Sequence, residues 1–214
     1  MPNWCNTCIM FQGNKDDIEK FHIQLNEWTS KTFIKTDFGE AWLGNILYGA
    51  RLSYLVDTTN SEHVRCRGWI DIIGDIEDGS DDTYIFTVFT ETAWAPMTRL
   101  FDKVIKKFKY NIEYAYQAEE PGCELYEIYD PDDLGFFDDG NIYVDMFLDS
   151  ADEKEFQWLS ELNDMPYVNE FDLKKWLDKH KIKDEKELDK IEFNSQDSYV
   201  YIHRYEYVSY EDTL

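Results

Sequence analysis

VRCRGWIDII (residues 64–73) and TYIFTVFTE (83–91), separated by the turn-forming cluster IEDGSDD (76–82), decide the fold of this chain. Both runs are rich in β-branched and aromatic residues, and the Gly, Ser and Asp residues between them suit a hairpin. Pro96 then opens a helix over about 97–109, with Met97, Leu100, Phe101, Val104, Ile105 and Phe108 at helical spacing. Residues 111–118 (NIEYAYQA) read as strand again. Upstream, 3–11 (NWCNTCIMF) predicts a strand closed by Gly13, and 14–28 predicts a helix in which Asn14 is the N-cap and Ile18, Phe21, Leu25 and Trp28 share one face.

The resulting order, β-α-β-β-α-β, predicts an α+β protein built as a ferredoxin-like βαββαβ sandwich, two helices covering one face of a four-stranded antiparallel sheet. The looser stretch between the first helix and residue 64 holds one apolar segment, AWLGNILYGA (41–50). Extra strands at 123–129 and 141–148 extend or cap the sheet. Beyond about 150, helices over 151–162, 170–180 and 184–191 and an alternating strand at 198–208 form a C-terminal, mostly helical extension. The expected division is therefore a domain at 1–148 and an extension at 149–214.

At 214 residues, 43% hydrophobic and 17% aromatic, the chain can bury a sizeable core. Its 45 acids against 21 bases leave a formal charge of −24, which argues against direct nucleic-acid or anionic-membrane binding, since phosphate is held through Lys and Arg. No apolar run reaches membrane-spanning length, and the start MPNWCNTC lacks the basic and apolar parts of a signal peptide, so the expected location is the cytoplasm. Four scattered cysteines, Cys5, Cys8, Cys66 and Cys123, are expected as thiols there.

The acidity is concentrated. Between Glu119 and Asp164, 16 acids face a single base, Lys154. Aromatic residues interleave with them, which points to a folded acidic surface rather than a solvated tail. The candidate partner-binding residues are Glu119, Glu120, Glu124, Glu127, Asp130, Asp132, Asp133, Asp138, Asp139 and Asp145, with Phe136 and Phe137 among them. Trp94, between Glu91 and Pro96, is a further candidate: either an exposed anchor flanked by carboxylates or a staple packed under the following helix.

Several blocks together resemble the YubB-type ferredoxin-like proteins of phages, plasmids and integrated mobile elements. These are the opening Met1-Pro2-Asn3-Trp4-Cys5, then Trp42-Leu43-Gly44-Asn45, Cys66-Arg67-Gly68, Thr90 to Met97 (TETAWAPM) and Tyr116 to Gly122 (YQAEEPG). Thr7 stands where that family more often has Asn, and Ala95 where it more often has Ser. The resemblance covers about the first 130 to 145 residues. It implies a fold and a mobile-element origin, with no established activity, and "ferredoxin" implies no iron–sulfur cluster.

Other constellations are weaker. Cys5 and Cys8 have CxxC spacing, but within a strand residues three apart point to opposite faces, against a shared zinc ion. The acidic run Asp130–Gly140 fails the EF-hand ligand pattern at Leu134 and Asn141. Pro131-Asp132 with Asp152-Glu153-Lys154 spells a PD…(D/E)xK nuclease signature, cheaply in so acidic a chain. Arg67-Gly68-Trp69 resembles the start of an RNA-binding RNP1 motif on the wrong strand. Histidines 22, 63, 180 and 203 stand apart, and no nucleophile elbow or phosphate loop occurs. No cofactor or metal is expected.

The leading expectation is a non-enzymatic acidic binding protein whose partner offers a basic surface, on a host or mobile-element protein. Its concrete form is a nucleic-acid mimic occupying the channel of a defence nuclease, in the manner of anti-CRISPR or anti-restriction inhibitors. The alternatives are a divalent-metal-dependent nuclease or phosphoesterase using Asp132, Asp152 and Lys154, and a small regulatory or assembly module.

Overall fold

The computed structural model describes residues 3–138, 140–163 and 167–209, apart from the side chains of Asn163 and Tyr167. It divides into two units, residues 1–134 with 207–214 and residues 135–206.

The first unit contains β1 (Trp4–Gly13), α1 (Lys15–Thr29), α2 (Gly44–Gly49), β2 (Gly68–Ile73), β3 (Glu77–Asp78), β4 (Tyr84–Ala93), α3 (Arg99–Phe108), β5 (Ile112–Glu120) and β6 (Leu125–Tyr129). The strands lie in the order β6-β5-β1-β4-β2, with β3 also on β4, and the registered pairs are antiparallel. Alternation along β1 sends Cys5, Thr7, Ile9 and Phe11 into the core. Phe11 stands opposite Phe86 of β4 and Tyr114 of β5, and its ring lies 5.2 Å from both Phe21 of α1 and Phe101 of α3. The two longer helices therefore cover the same face. Each such buried Phe contributes about 1.5–3 kcal/mol by leaving water.

The hairpin, α1 and β5 form where the sequence puts them. The Asn14 side chain accepts from the Asp17 amide at 3.0 Å, and Asp17 in turn accepts the Asn111 amide at 2.9 Å, tying the helix start to the head of β5. That backbone hydrogen bond holds the Asp17 carboxyl below its ordinary range.

Two boundaries shift. The strand expected from residue 64 starts only at Gly68, because the preceding backbone is committed elsewhere: the Val64 amide donates to Leu55 at 2.8 Å and the Cys66 carbonyl accepts the Trp42 indole at 2.7 Å. The helix expected from 97 starts at Arg99, the Met97 sulfur instead receiving the Arg67 amide at 3.1 Å. At Gly68 a Cβ would lie 2.2 Å from the Glu91 carbonyl oxygen, so β2 can approach β4 only with glycine there.

The second unit contains β7 (Ile142–Phe147), α4 (Ser160–Asn163), β8 (Tyr167–Val168), α5 (Glu170–His180) and β9 (Tyr199–Arg204), with a sheet in the order β8-β7-β9. Its core gathers Ile142, Val144, Leu159, Trp176 and Val200 among others. The strand at 141–148 thus pairs with β8 and β9 rather than extending the first sheet. Of the three helices expected after residue 150, the one at 170–180 forms as α5 and the strand expected at 198–208 forms as β9, but the other two helices do not form as expected. Residues 151–156 are turns, followed by a short 3₁₀ turn, Gln157–Leu159, and the four-residue α4, while 185–190 is 3₁₀.

Asp152 in this stretch is bonded far from its chain neighbours. Fully buried, its carboxylate accepts the amides of Asn194 (2.7 Å) and Ser195 (2.9 Å) and the Ser198 hydroxyl (2.7 Å). Those partners lie 42 to 46 positions further along the chain. The last strand, β10 (Glu206–Tyr207), joins the first sheet beside β6, and the Val208 amide donates to the Ile128 carbonyl at 2.8 Å.

Candidate binding surfaces

The acid-rich segment is shared between the units, Glu119–Asp133 in the first and Asp138 onward in the second. Residues 111–134 hold eight acids and no base. Glu113, Glu124, Asp132 and Asp133 are exposed, and Glu119 is half-buried on β5. Asn6 of β1 stands directly opposite both Glu91 of β4 and Glu119 of β5, so the two glutamate-bearing blocks do converge, one strand on either side of Asn6.

Other candidates have structural employment. Glu120 is only 3% exposed and accepts the Gly122 amide at 3.1 Å, holding the turn into β6 rather than facing a partner. Glu127 accepts the Tyr116 hydroxyl at 2.9 Å, and Asp130 accepts the Leu134 amide at 2.9 Å. In the second unit Phe136 and Phe137 are half-buried, Asp138 is exposed, and Asp145 is half-buried on β7 opposite Tyr201. Asp139 lies outside the described residues.

The chemical constellations come apart. Cys5 is buried on the core face of β1 and Cys8 is half-buried on the other, as strand alternation requires. Burial pushes the Cys5 and Cys66 thiols up to about 12 and that of Cys8 up to about 11. Among the described residues no group of three or more His, Cys, Asp or Glu is arranged to hold a metal ion. Of the nuclease spelling, Asp152 has both oxygens occupied by its own unit. Although burial opposes it, the hydrogen bonds from Ser198, Asn194 and Ser195 keep that carboxyl below its ordinary range. Lys154 sits in a turn, and Asp132 belongs to the other unit. The Trp69 ring packs at 4.7 Å from Trp4 and 5.9 Å from Phe38, a half-buried aromatic cluster.

A site that motif reading does not find lies wholly in the first unit, where β4 leaves the sheet toward α3. It is an open basin of about 690 Å³, within the range of small-molecule sites. The stretch between α1 and β2 folds over to build one wall, with Phe38 and Trp42 as its aromatic part; Ala93 and Met97 close the other side. Around it stand Lys35, Arg65 and Arg67 against one carboxylate, Asp37. Among the described residues none of these three cations forms a salt bridge.

Trp94 sits on this basin, 47% exposed. Its backbone is left-handed (φ 68°), a conformation that costs a bulky residue about 1–3 kcal/mol. The turn is fixed by its amide donating to the Asn3 carbonyl at 3.0 Å and by the Thr92 hydroxyl donating to the Ala95 carbonyl at 2.7 Å. The Arg67 guanidinium lies over the indole at 4.7 Å. Of the two readings open for Trp94, the exposed one holds, with a cation rather than carboxylates against it. Comparison with models of protein families, with curated proteins and with solved structures finds no match to this chain.

Proposed function

We propose that the chain is a non-enzymatic binding protein of the YubB type, of mobile-element origin, whose first unit is a ferredoxin-like sandwich and whose acidic surface engages a basic surface on a host or element-encoded protein. In its most concrete form the partner is a nucleic-acid-binding defence protein, and the carboxylates compete with nucleic acid for the same Arg and Lys side chains. Duplex DNA offers one charge per roughly 1.7 Å, a density that clustered carboxylates can imitate. The fold reading is supported by the strand order β5-β1-β4-β2 with α1 and α3 on one face, the arrangement of that sandwich.

The observation that carries the functional reading is the acid run of residues 111–134, eight acids and no base in that stretch of sequence, with Glu113 exposed on β5 and Glu124, Asp132 and Asp133 exposed in the turns on either side of β6. Opposite charge steers association and selects partners more than it adds affinity, so such a complex weakens with salt. The test is capture from a bacterial host lysate by the full chain, washed at low and raised salt, beside a variant carrying Glu124→Lys, Asp132→Lys and Asp133→Lys. A basic, nucleic-acid-binding protein retained at low salt, released by salt and lost with the variant is expected. Capture indifferent to both salt and charge reversal overturns the reading. It would favour instead an assembly module acting through its sheet, where Ile72 and Phe89 stand opposite each other on β2 and β4 with 53% and 42% of their surface exposed.

A further inference from the structure

We propose that the basin at the β4–α3 junction is a nucleotide-binding site, in which Trp94 stacks on the base and Lys35, Arg65 and Arg67 take the phosphate. The site is independent of the acidic surface and of the partner proposed for it. Three features point to this ligand class.

The first is a local inversion of charge. The first unit, residues 1–134 with 207–214, carries 26 acids and 12 bases, yet three of those bases and a single acid surround the basin. In so acidic a unit a cation finds carboxylate partners readily, and the absence of a salt bridge to any of these three among the described residues leaves their charge available to an anion.

The second is the presentation of Trp94. A bulky residue is held in a left-handed conformation by two hydrogen bonds that a smaller side chain would allow equally well, and the outcome is an indole kept out of the core at the rim. Strain of this kind is tolerated where a side chain has to be aimed. Arg67 occupies one face of the ring at 4.7 Å, and the indole is still about half exposed, so a second planar group can stack on it. The same guanidinium lines the basin together with Lys35 and Arg65, the cations proposed to take the phosphate.

The third is the wall. Phe38, Trp42, Val64 and Met97 give an apolar lining, the Trp42 N–H being already satisfied by the Cys66 carbonyl at 2.7 Å. His63 donates Nδ1–H to the Leu55 carbonyl at 3.2 Å, which leaves Nε2 of the neutral ring an acceptor. Asp37 adds a second acceptor. A base and a ribose carry the N–H and O–H groups that such acceptors discriminate.

A free nucleotide is favoured over a polynucleotide by the charge of the whole chain. At −24 the long-range field repels a strand in proportion to its many phosphates, whereas a ligand with one or two phosphates needs only the local cations.

The test is calorimetric titration of the full chain with adenosine, guanosine, cytidine and uridine mono- and diphosphates, with inorganic phosphate and with a single-stranded oligonucleotide. Saturable binding of at least one nucleotide is expected, tighter than inorganic phosphate. Trp94→Gly, which relieves the left-handed backbone and so keeps the fold, and Arg67→Ala are each expected to weaken it roughly tenfold, as loss of one stacking or charge-assisted contact does. Far-ultraviolet circular dichroism of both variants checks folding. The proposal is overturned if no nucleotide binds with a Kd below about 1 mM. It is equally overturned if inorganic phosphate binds as well as nucleotides, if Trp94→Gly binds unchanged, or if only the oligonucleotide binds.

Discussion

Asp102, in the first turn of α3, accepts the Tyr114 hydroxyl at 2.8 Å through one oxygen, while burial raises its carboxyl above the ordinary range. A raised native pKa means that the folded state holds the proton more tightly than the unfolded chain, so stability falls as pH rises above about 4, the unfolded value. Asp102→Asn keeps an oxygen acceptor for Tyr114 and removes the charge. The expected result is a higher Tm at pH 7, with the gain shrinking as pH is lowered toward 4 in thermal scans of both proteins. Thiols give a second residue-scale outcome. Cys5 and Cys66 are buried and pushed up to about 12, whereas Cys123 is exposed. Alkylation of the native protein at neutral pH should modify Cys123 first, the others reacting only on denaturation, as intact mass and peptide mapping will show.

Whether an element is legible from sequence depends on where its backbone partners are. α1 follows from adjacent residues, the Asn14 cap and a stripe of Ile18, Phe21, Leu25 and Trp28, all buried as the spacing predicts. Asn14→Ala should cost about 1 kcal/mol in urea unfolding, the usual worth of such a cap. The failed helix at 151–162 has the opposite character, since the groups that hold Asp152 come from residues 194–198, more than 40 positions away. β2 starts late for the same reason, Val64 and Cys66 ahead of it being bonded to Leu55 and Trp42. Closer to the sheet, Gly68→Ala should cost about 3 kcal/mol, because its Cβ meets β4 backbone that cannot give way without loosening the β2–β4 pairing. Amide exchange in β2 would rise in step.

Each unit of the molecule has its own buried cluster. Asp152→Ala strips three hydrogen-bond donors of their acceptor in the second unit. Hydrogen exchange of the full chain should then show lost protection in β7, β9 and the segment around 194–198, with β1, β4 and β5 unchanged. Because the native pKa of Asp152 is lowered, its contribution is present above about pH 4 and disappears as pH falls through the native value. At this scale composition reads well and geometry does not. The acid excess is plain in the chain, but the basin drawing on Lys35, Arg65, Arg67 and Trp94 spans some 60 positions without a motif, and the left-handed turn at Trp94 contradicts the preference of its residue type.

The return of the chain to β6 through β10 sets a timetable for synthesis on the ribosome. β1 to β6 are complete once residue 129 has emerged, yet the strand that lies beside β6 begins at Glu206, after the whole second unit. At about 5–20 residues per second the edge of the first sheet waits roughly 4–15 s for its neighbour. During that interval the nascent chain offers an open edge to any extended segment nearby, its own second unit or the nascent chain on the next ribosome of a polysome.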